Sequence, residues 1–383
     1  MKTYDKFYIG GEWVAPSGTD TAEVINSATE EVIGQVPMGT AEDVDRAVAA
    51  ARQAFPSWSE TAVDVRAKYL RDIGAALAAR YEEAVDIISA EVGSPKAFAQ
   101  MVQAGLAMGD WNTYADQIEA FEWDKELGSS LVVREPIGVV AAITPWNYPL
   151  YLIVCKVAPA LASGCTVVLK PSEITPLNAY LLTEVLDEVG LPAGVFNLVI
   201  GSGPEVGGAM TAHPDVDMVS FTGSGRAGKE VSKSAADTIK RVELELGGKS
   251  ANIVLDDADP AAVAFGAVFS CMLNSGQTCS ALTRLLVPAE MHDAVVDAVV
   301  AEVAPANLVD PAADEPDLFH SFGPLVSAAQ RDRVRDYIQK GIDEGADLVI
   351  GGPEQPEEHE RGYYVKPTVF ANVNNSMTIA REA

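Results

Sequence analysis

A regular alternation of short apolar runs and helical segments is the feature that most constrains the fold of this chain. After about residue 130, each apolar run is followed by a turn and then by a segment with helical periodicity. This alternation is typical of a parallel α/β sheet, in which a helix connects consecutive strands. The predicted strands are 166–170, 196–200, 218–221, 241–245 and 252–255, and the predicted helices among them are 177–189, 204–212 and 227–236.

The N-terminal part predicts a hairpin and a helical region. Residues 7–14 contain a central Gly-Gly pair between apolar runs, which is typical of a β-hairpin. Residues 40–90 have helical periodicity, and we expect an interruption near Pro56. Thr40 is a predicted N-cap, and Asp43 partly fills the role of the capping-box acid.

A second α/β stretch follows the first. It comprises helix 261–273, strand 284–287, helix 292–303, helix 327–344 and strand 347–350, with surface loops at 305–316 and 352–361. Segment 121–133 interrupts the alternation and predicts a projecting hairpin. On sequence alone, this hairpin is equally compatible with an ordinary surface element and with one that pairs with another subunit.

Composition narrows the class of protein. The 383 residues suffice for two or more domains, and 48% hydrophobic with 21% charged residues indicates a globular chain. A net charge of −28 argues against nucleic-acid binding and against anionic membrane surfaces. Four cysteines without zinc-like spacing and four scattered histidines predict no disulfide framework and no metal site, which favours a reducing, cytoplasmic compartment.

Neither a signal peptide nor a membrane span is expected. The residues after Met1 include no apolar core. The uncharged stretch 137–155 is broken by Pro145, Asn147 and Pro149, and stretch 260–283 becomes polar before its end. We therefore interpret both as buried elements followed by turns.

One cysteine lies where it could act as a nucleophile. Cys279 follows a helix-stop and turn at 274–276 and has polar neighbours, whereas the other three cysteines lie in apolar runs. A lone cysteine is more often a small buried hydrophobe, and a reactive one needs a cation or helix N-terminus nearby. Glu245, beside another Gly-containing turn, is a candidate for a separate general base.

A glycine-rich segment predicts phosphate binding. Residues 223–228 fit G-x-G-x-x-G between a strand and a helix, where helix N-terminal amides favour an anion such as pyrophosphate. Glu245 stands at the distance expected of a ribose-binding acid, which competes with its role as a base. Lys170 and Glu173, at the end of another strand, are an alternative ribose-binding pair or an ordinary ion pair. Spacing alone leaves these alternatives open.

Taken together, the motifs resemble the aldehyde dehydrogenase superfamily, of the non-acylating, NAD(P)-dependent type. The resemblance covers essentially the whole chain, with six motifs in the family's order. They are TPWNYP at 144–149, KPSE at 170–173, FTGS at 221–224, ELGGKS at 245–250, GQ-x-C at 276–279 and PTVF at 367–370.

The resemblance implies a catalytic role for three residues. Cys279 is expected to attack the aldehyde carbon and give a thiohemiacetal, which loses hydride and becomes a thioester. The side chain of Asn147 and the backbone N–H of Cys279 are expected to hold the oxyanion. Glu245 is expected to be the general base that activates water to release the acid.

The resemblance also implies a cofactor, NAD, with NADP disfavoured because Glu173 would repel a 2′-phosphate. Lys170 and Glu173 match the ligands of the adenosine ribose, which resolves the competition over Glu245. The other implied cofactor-binding residues are Ile143, Trp146, Gly203, Gly223, Ser224 and Leu246.

The implied architecture is a Rossmann-type cofactor domain, a second α/β catalytic domain and a protruding β-hairpin. The expected boundaries are 1–119 and 138–246 for the NAD-binding domain, 120–137 for the oligomerisation hairpin and 247–383 for the catalytic domain. The partners expected are a small-molecule aldehyde and further copies of the protein, as a homodimer or homotetramer. The identity of the aldehyde is not readable from the sequence.

The chain departs from the family pattern at its C-terminus. Position Ala383 corresponds to a second Glu that normally binds the nicotinamide ribose, and the family continues beyond it. We therefore expect a C-terminally truncated chain with little or no turnover. Alternatives to the assigned activity are a CoA-acylating semialdehyde dehydrogenase, which tends to lack the base, and an inactive fragment that retains only nucleotide binding.

Overall fold

The computed structural model describes residues 2–313 and 317–382, so the expectation for Ala383 lies outside the described residues. The chain divides into two compact units. The first comprises the chain up to Val24, Val32–Ile88 and Gln100–Glu245. The second comprises Ile25–Glu31, Ser89–Ala99 and the chain from Leu246 onward.

Helices and strands are numbered here in chain order. Helices α1 to α13 span Ala41–Ser59, Val63–Ala79, Tyr81–Val92, Lys96–Phe98, Gly105–Ala120, Pro149–Ala162, Leu177–Glu188, Gly208–Ala212, Gly225–Ala236, Pro260–Met272, His292–Val303, Ala328–Asp343 and Thr378–Arg381. Strands β1 to β18 span Lys2–Thr3, Phe7–Ile9, Glu12–Val14, Thr21–Ile25, Val32–Pro37, Asp124–Leu127, Ser130–Val133, Val139–Ile143, Thr166–Lys170, Phe196–Leu198, Met218–Gly223, Arg241–Leu246, Ala251–Ile253, Arg284–Leu286, Asn307–Leu308, Ser321–Phe322, Asp347–Ile350 and Val369–Ala371. Short π-helical turns lie at Ala99–Ala104 and Gly203–Gly207, and 3₁₀ turns at Leu273–Gly276 and Ala289–Met291.

The first unit is built around a seven-stranded sheet with the order β12-β11-β8-β9-β10-β2-β3. Strands β8, β9, β10 and β11 run parallel, which confirms the predicted parallel α/β sheet. Every residue of β8 and β9 is buried, because helices cover both faces of a parallel sheet. Strands β2 and β3 extend the sheet as an antiparallel hairpin, as the central Gly-Gly pair predicts.

Helix α1 begins at the predicted cap. The Thr40 hydroxyl accepts the N–H of Glu42, and the Asp43 carboxylate accepts the N–H of Thr40 at 2.9 Å. The helical region 40–90 is interrupted at residues 60–62, shortly after Pro56, and Pro56 itself lies inside α1. A proline in a helix costs about 3 kcal/mol. Burial of Trp58 in the same turn offsets that cost.

The segment between α5 and β8 forms the predicted hairpin. Strands β6 and β7 pair in antiparallel register, with Asp124 opposite Val133 and Leu127 opposite Ser130. Every residue of both strands is exposed, including Leu127, Leu131 and Val132. The hairpin is therefore confirmed as an element that the chain itself does not cover.

The second unit contains helices packed against short two-stranded sheets. Strands β13 and β14 pair in parallel, and β17 and β18 pair antiparallel. Its hydrophobic core lies between α10 and α11, where the small and β-branched side chains of Ala264, Val268, Val295, Val299 and Val303 pack together. The predicted helix 292–303 and strand 347–350 are confirmed at their predicted bounds.

Among residues 2–313 and 317–382, none of the helices combines the length and apolar composition needed to cross a bilayer.

Candidate active site

The carboxyl edge of the parallel strands in the first unit gathers most of the predicted cofactor residues. Ile143 ends β8 and lies beside Lys170, which ends β9, and beside Phe221 of β11. Strand β9 lies on one side of β8 and β11 on the other. The chain therefore reverses its direction of winding at β8, and open α/β sheets bind ligands at such a switch point.

The turn from β11 into α9 forms the predicted phosphate-binding segment. Ser224 is the N-cap, and its hydroxyl accepts the N–H of Ala227 at 3.2 Å. The first-turn N–H groups of a helix have no carbonyl partner within the helix, so they can donate to an anion. Gly223 is required here, because a Cβ at this position would lie 2.6 Å from Cζ of Phe221.

Lys170 is buried, whereas its sequence context is also compatible with an ordinary surface ion pair. Its side chain is buried, and the ammonium donates to the carbonyl oxygens of Pro171 and Gly201, each at 2.8 Å, and to the Glu173 carboxylate at 3.3 Å. An ammonium has three donors, so this set uses all of them. Burial lowers the pKa of Lys170, and Glu173 opposes that shift. Lys170 thus fixes Glu173, whose carboxylate is half-buried at the sheet edge.

Three further predicted cofactor residues are Trp146, Gly203 and Leu246. Trp146 is half-buried, and its carbonyl accepts the Thr175 hydroxyl at 3.2 Å. Gly203 is exposed at the start of a π-helical turn, and a Cβ there would meet no atom within 4 Å. Leu246 is the exposed last residue of β12.

Asn147 precedes α6 and is 8% exposed. Pro149 occupies the first turn of this helix, where its missing N–H is not needed. Most residues of the helix that follows are buried. Asn147 is therefore a buried residue in the bend that leads into α6.

A polar cluster that the sequence interpretation missed lies on the same helix. The Lys156 ammonium donates to the Ser220 hydroxyl at 2.7 Å and to the Glu243 carboxylate at 3.4 Å, and Ser220 also hydrogen-bonds Glu243. Burial lowers the pKa of Lys156, whereas the charges of Glu243 and Glu245 raise it. Glu245 is exposed and lies two residues beyond Glu243, on the same side of β12. The only sequence signal for this cluster is a lysine inside an apolar run.

The cysteine predicted as the nucleophile lies in the second unit, after α10. Asn274 and Ser275 have left-handed φ angles of 54° and 57°, followed by Gly276 at 78°, so three consecutive residues turn the chain sharply. The Thr278 hydroxyl donates to the Leu273 carbonyl at 3.0 Å and fixes the turn. Among the cysteines, Cys279 is exposed, Cys165 is buried, and Cys155 and Cys271 are half-buried.

Gln277, next to this turn, anchors it to its own unit. Its side-chain oxygen accepts the N–H of Val326 at 2.9 Å, and its side-chain nitrogen donates to the Asn274 carbonyl at 3.3 Å. Non-glycine residues with left-handed φ angles cost free energy and concentrate at functional sites. The backbone around Cys279 is therefore constrained while its thiol stays accessible.

Comparisons with known proteins identify the family to which this chain belongs. Residues 13–383 match the model of the aldehyde dehydrogenase family. A 3-succinoylsemialdehyde-pyridine dehydrogenase of Pseudomonas sp is 49% identical over 383 residues, covering 100% of this chain and 80% of that protein.

Solved structures of aldehyde dehydrogenases are also similar to this chain. Aldehyde dehydrogenase C from Pseudomonas syringae, as a cysteine-to-alanine mutant complexed with NAD+ and octanal, superposes with a TM-score of 0.95 at 48% identity, covering 99% of this chain and 77% of that one. An aldehyde dehydrogenase of Mycobacterium tuberculosis complexed with NAD+ gives a TM-score of 0.95 at 46% identity, covering 100% of this chain and 79% of that one. The predicted family resemblance and fold class are confirmed, and the roles of individual residues stay predictions.

Proposed function

This chain belongs to the aldehyde dehydrogenase family, and we propose that it oxidises an aldehyde to a carboxylic acid with NAD as the hydride acceptor. The observation that carries the proposal is the exposed thiol of Cys279 on a constrained turn. The relatives complexed with NAD+, one of them also with octanal, support the choice of cofactor and substrate class.

The first unit provides a suitable edge for NAD, and we assign it as the NAD-binding domain. The helix N-terminus at Ser224 suits the pyrophosphate, and Glu173, positioned by Lys170, suits the 2′-hydroxyl of the adenosine ribose. A carboxylate there repels a 2′-phosphate, which favours NAD over NADP. Ile143, Trp146, Gly203 and Leu246 are assigned to the surrounding contacts. When bound, NAD supplies a nicotinamide ring that accepts hydride.

In the proposed mechanism, the Cys279 thiolate attacks the aldehyde carbon and forms a C–S bond, which gives a thiohemiacetal oxyanion. The Asn147 amide and the Cys279 backbone N–H donate hydrogen bonds to that oxygen. Loss of one oxyanion donor typically costs about 2.7–4 kcal/mol of transition-state stabilisation. The neutral Asn147 amide stabilises this charge without trapping it as a fixed cation would.

Loss of hydride from the same carbon leaves a thioester on Cys279. Glu245 then takes a proton from water, the hydroxide adds to the thioester carbon, and the acid leaves as the C–S bond breaks. Glu245 suits this role because it is exposed at the end of β12. A positioned general base typically contributes a rate factor of about 10²–10⁴.

The catalytic domain and the oligomerisation hairpin complete the proposed domain assignment. We assign the part from 247 onward to the catalytic domain, since it carries Cys279, and 120–137 to oligomerisation. The exposed apolar side chains of β7 support the second assignment, as homodimers and homotetramers need an apolar interface. A cytoplasmic location is proposed from the reduced state of the four cysteines.

Replacement of the nucleophile tests the proposal. The purified protein is incubated with NAD and a panel of aldehydes, and NADH formation is followed for wild type, Cys279→Ser and the control Cys271→Ala. We expect Cys279→Ser to lose activity and Cys271→Ala to retain it. Acid quenching followed by peptide mass analysis is expected to find the acyl group on Cys279.

Two results would contradict the proposal. One is unchanged NADH formation by Cys279→Ser, and the other is an acyl group on a different residue during turnover. Product analysis with and without CoA addresses the acylating alternative, since only that activity yields an acyl-CoA. The presence of Glu245 argues against it.

A further inference from the structure

The turn that leads to Cys279 contains backbone that needs support from outside the turn. Asn274 and Ser275 have left-handed φ angles of 54° and 57°. Among residues 2–313 and 317–382, they are the only two neighbouring non-glycine residues with a positive φ. A side chain disfavours this region because its Cβ approaches the following carbonyl oxygen, although asparagine tolerates it better than most residues. Such a conformation persists only where the surrounding structure imposes it.

Two hydrogen bonds from distant segments hold these residues. The Ser94 hydroxyl donates to the side-chain oxygen of Asn274 at 2.6 Å. The Ser275 hydroxyl donates to the Gly323 carbonyl at 2.9 Å. Ser94 is 1% and Asn274 is 4% exposed, so bulk water does not compete for the first bond. All four residues belong to the second unit. Each left-handed residue is thus tied to a segment outside the turn.

The two supporting segments are fixed against each other. Gly323 packs so closely on Gly93 that a Cβ on Gly323 would lie 1.8 Å from the Gly93 carbonyl oxygen. Gly93 itself has a φ of 85°, and a Cβ there would lie 2.8 Å from the Pro324 carbonyl oxygen. A larger residue at either position would therefore displace backbone. Gly93, Ser94 and Gly323 are called the turn clamp below.

The conformation of Asn274 affects the path of the chain to Cys279. The Asn274 carbonyl accepts the backbone N–H of Gln277 at 3.1 Å and the side-chain nitrogen of Gln277 at 3.3 Å. The ψ angle of Asn274 sets the direction of this carbonyl. Because Gln277 lies two residues before Cys279, a rotation at Asn274 would redirect the backbone N–H of Cys279, which is the proposed oxyanion donor.

We propose that Ser94 is a positioning residue for Cys279. Through Asn274, it keeps the turn in the conformation that directs the N–H and the thiol of Cys279 toward the aldehyde. This inference rests on the proposed function, since it assumes that Cys279 reacts with the aldehyde. Ser94 acts only through Asn274, and no bond to substrate is made or broken at its hydroxyl.

Removal of the Ser94 hydroxyl tests the inference. Hydrogen–deuterium exchange of peptides that cover 274–282 is measured for wild type, Ser94→Ala and Ser94→Cys, without NAD or aldehyde. Steady-state assays with one aldehyde give kcat and KM for the same proteins. The matched control is Ser89→Ala. Ser89 is also buried in the second unit, and its hydroxyl has no hydrogen-bond partner in the part of the chain that the structure describes.

We expect amide exchange in 274–282 to be roughly tenfold faster in Ser94→Ala, as for the loss of one hydrogen bond, while other peptides exchange as in wild type. The kcat value should fall by about 10–100-fold with KM nearly unchanged, because a small misplacement of a reacting group slows chemistry strongly. Ser94→Cys, whose thiol is a weaker donor, should lie between Ser94→Ala and wild type. Ser89→Ala should match wild type in both measurements.

Two variants of Ser275 test the other side of the turn clamp. Ser275→Ala and Ser275→Gly both lose the bond to the Gly323 carbonyl. Only alanine keeps a Cβ in the left-handed region, which glycine adopts without cost. Ser275→Ala should therefore speed exchange and lower kcat more than Ser275→Gly does. Equal effects of the two variants would contradict the inference, since the clamp would then not act on the left-handed backbone.

The exchange measurement separates this inference from the proposed function. Faster exchange confined to 274–282 in Ser94→Ala supports the turn clamp even if wild type forms no NADH, in which case only the proposed oxidation fails. Unchanged exchange in this segment overturns the inference, whatever happens to kcat. Faster exchange throughout the second unit also overturns it, because Ser94 would then support the fold in general. So does local exchange with an unchanged kcat in an active enzyme.

Discussion

Lys170→Met is the substitution whose outcome the structure specifies most closely. Methionine keeps an unbranched apolar chain in the buried site but removes the ammonium and its three donated hydrogen bonds. The carbonyls of Pro171 and Gly201 are buried, so they lose a partner that water does not readily replace. Glu173 loses the cation that positions it.

Two opposing contributions determine how much Lys170→Met lowers the free energy of unfolding. Each buried carbonyl left without its donor costs about 1–3 kcal/mol. Removing the charge also removes its desolvation penalty, which is several kcal/mol for a fully buried ion and offsets part of that loss. We therefore expect the free energy of unfolding to fall by about 2–4 kcal/mol. The Kd for NAD should rise roughly tenfold, by about 1.4 kcal/mol, because Glu173 is no longer fixed.

Urea denaturation measures the first effect, and calorimetric titration with NAD measures the second. The control is Lys233→Met, which removes an exposed lysine paired with exposed Glu230 and should change stability by less than about 0.5 kcal/mol. If Lys170→Met unfolds at the same urea concentration as wild type and binds NAD equally well, the assigned role of the buried ammonium is wrong.

Two further predictions concern α1 and the general base. Burial raises the pKa of Asp43, but hydrogen bonds from the Thr40 backbone, Arg46 and Ser17 outweigh it, so the net pKa is lowered. Stabilisation from a lowered carboxyl pKa is present above the unfolded value of about 3.9 and is lost as the pH falls through the folded value. Asp43→Asn should cost about 1–3 kcal/mol near pH 7, and urea denaturation should show this difference shrinking below about pH 4. Glu245→Gln should leave the first burst of NADH, measured by stopped flow, intact. Steady-state assays should show turnover slowed by about 10²–10⁴. A smaller burst would argue against hydrolysis as the affected step.

Local sequence patterns predicted the elements whose ends depend on local chemistry. The Thr40 cap, the strand at 166–170 and the helix at 292–303 form where predicted, because caps and hydrophobic periodicity act over a few residues. The interruption predicted near Pro56 lies a few residues later, at 60–62. The cost of a proline is local, whereas the burial of Trp58 that offsets it depends on tertiary packing.

The candidate site also contains residues that short motifs predicted and contacts that they did not predict. The motifs identified Cys279, Asn147 and the turn at Ser224 as candidates, since glycine-rich turns and helix starts are visible in short segments. The hydrogen bonds of Lys170 were not visible, because the Gly201 carbonyl that it meets lies 31 residues away. Nor was the Lys156 cluster, whose Ser220 and Glu243 partners lie 64 and 87 residues away.

The sequence by itself determined the family, the parallel sheet and the position of the exposed thiol, because motif spacing and strand–helix alternation are properties of neighbouring residues. Only the tertiary structure decided which charges meet. It buried Lys170 against two carbonyls, joined Lys156 to Glu243 and left Asp110 beside a thiol rather than a cation. The physical reason is that a charge is stabilised or left unbalanced by its neighbours in space, and those neighbours come from distant parts of the chain.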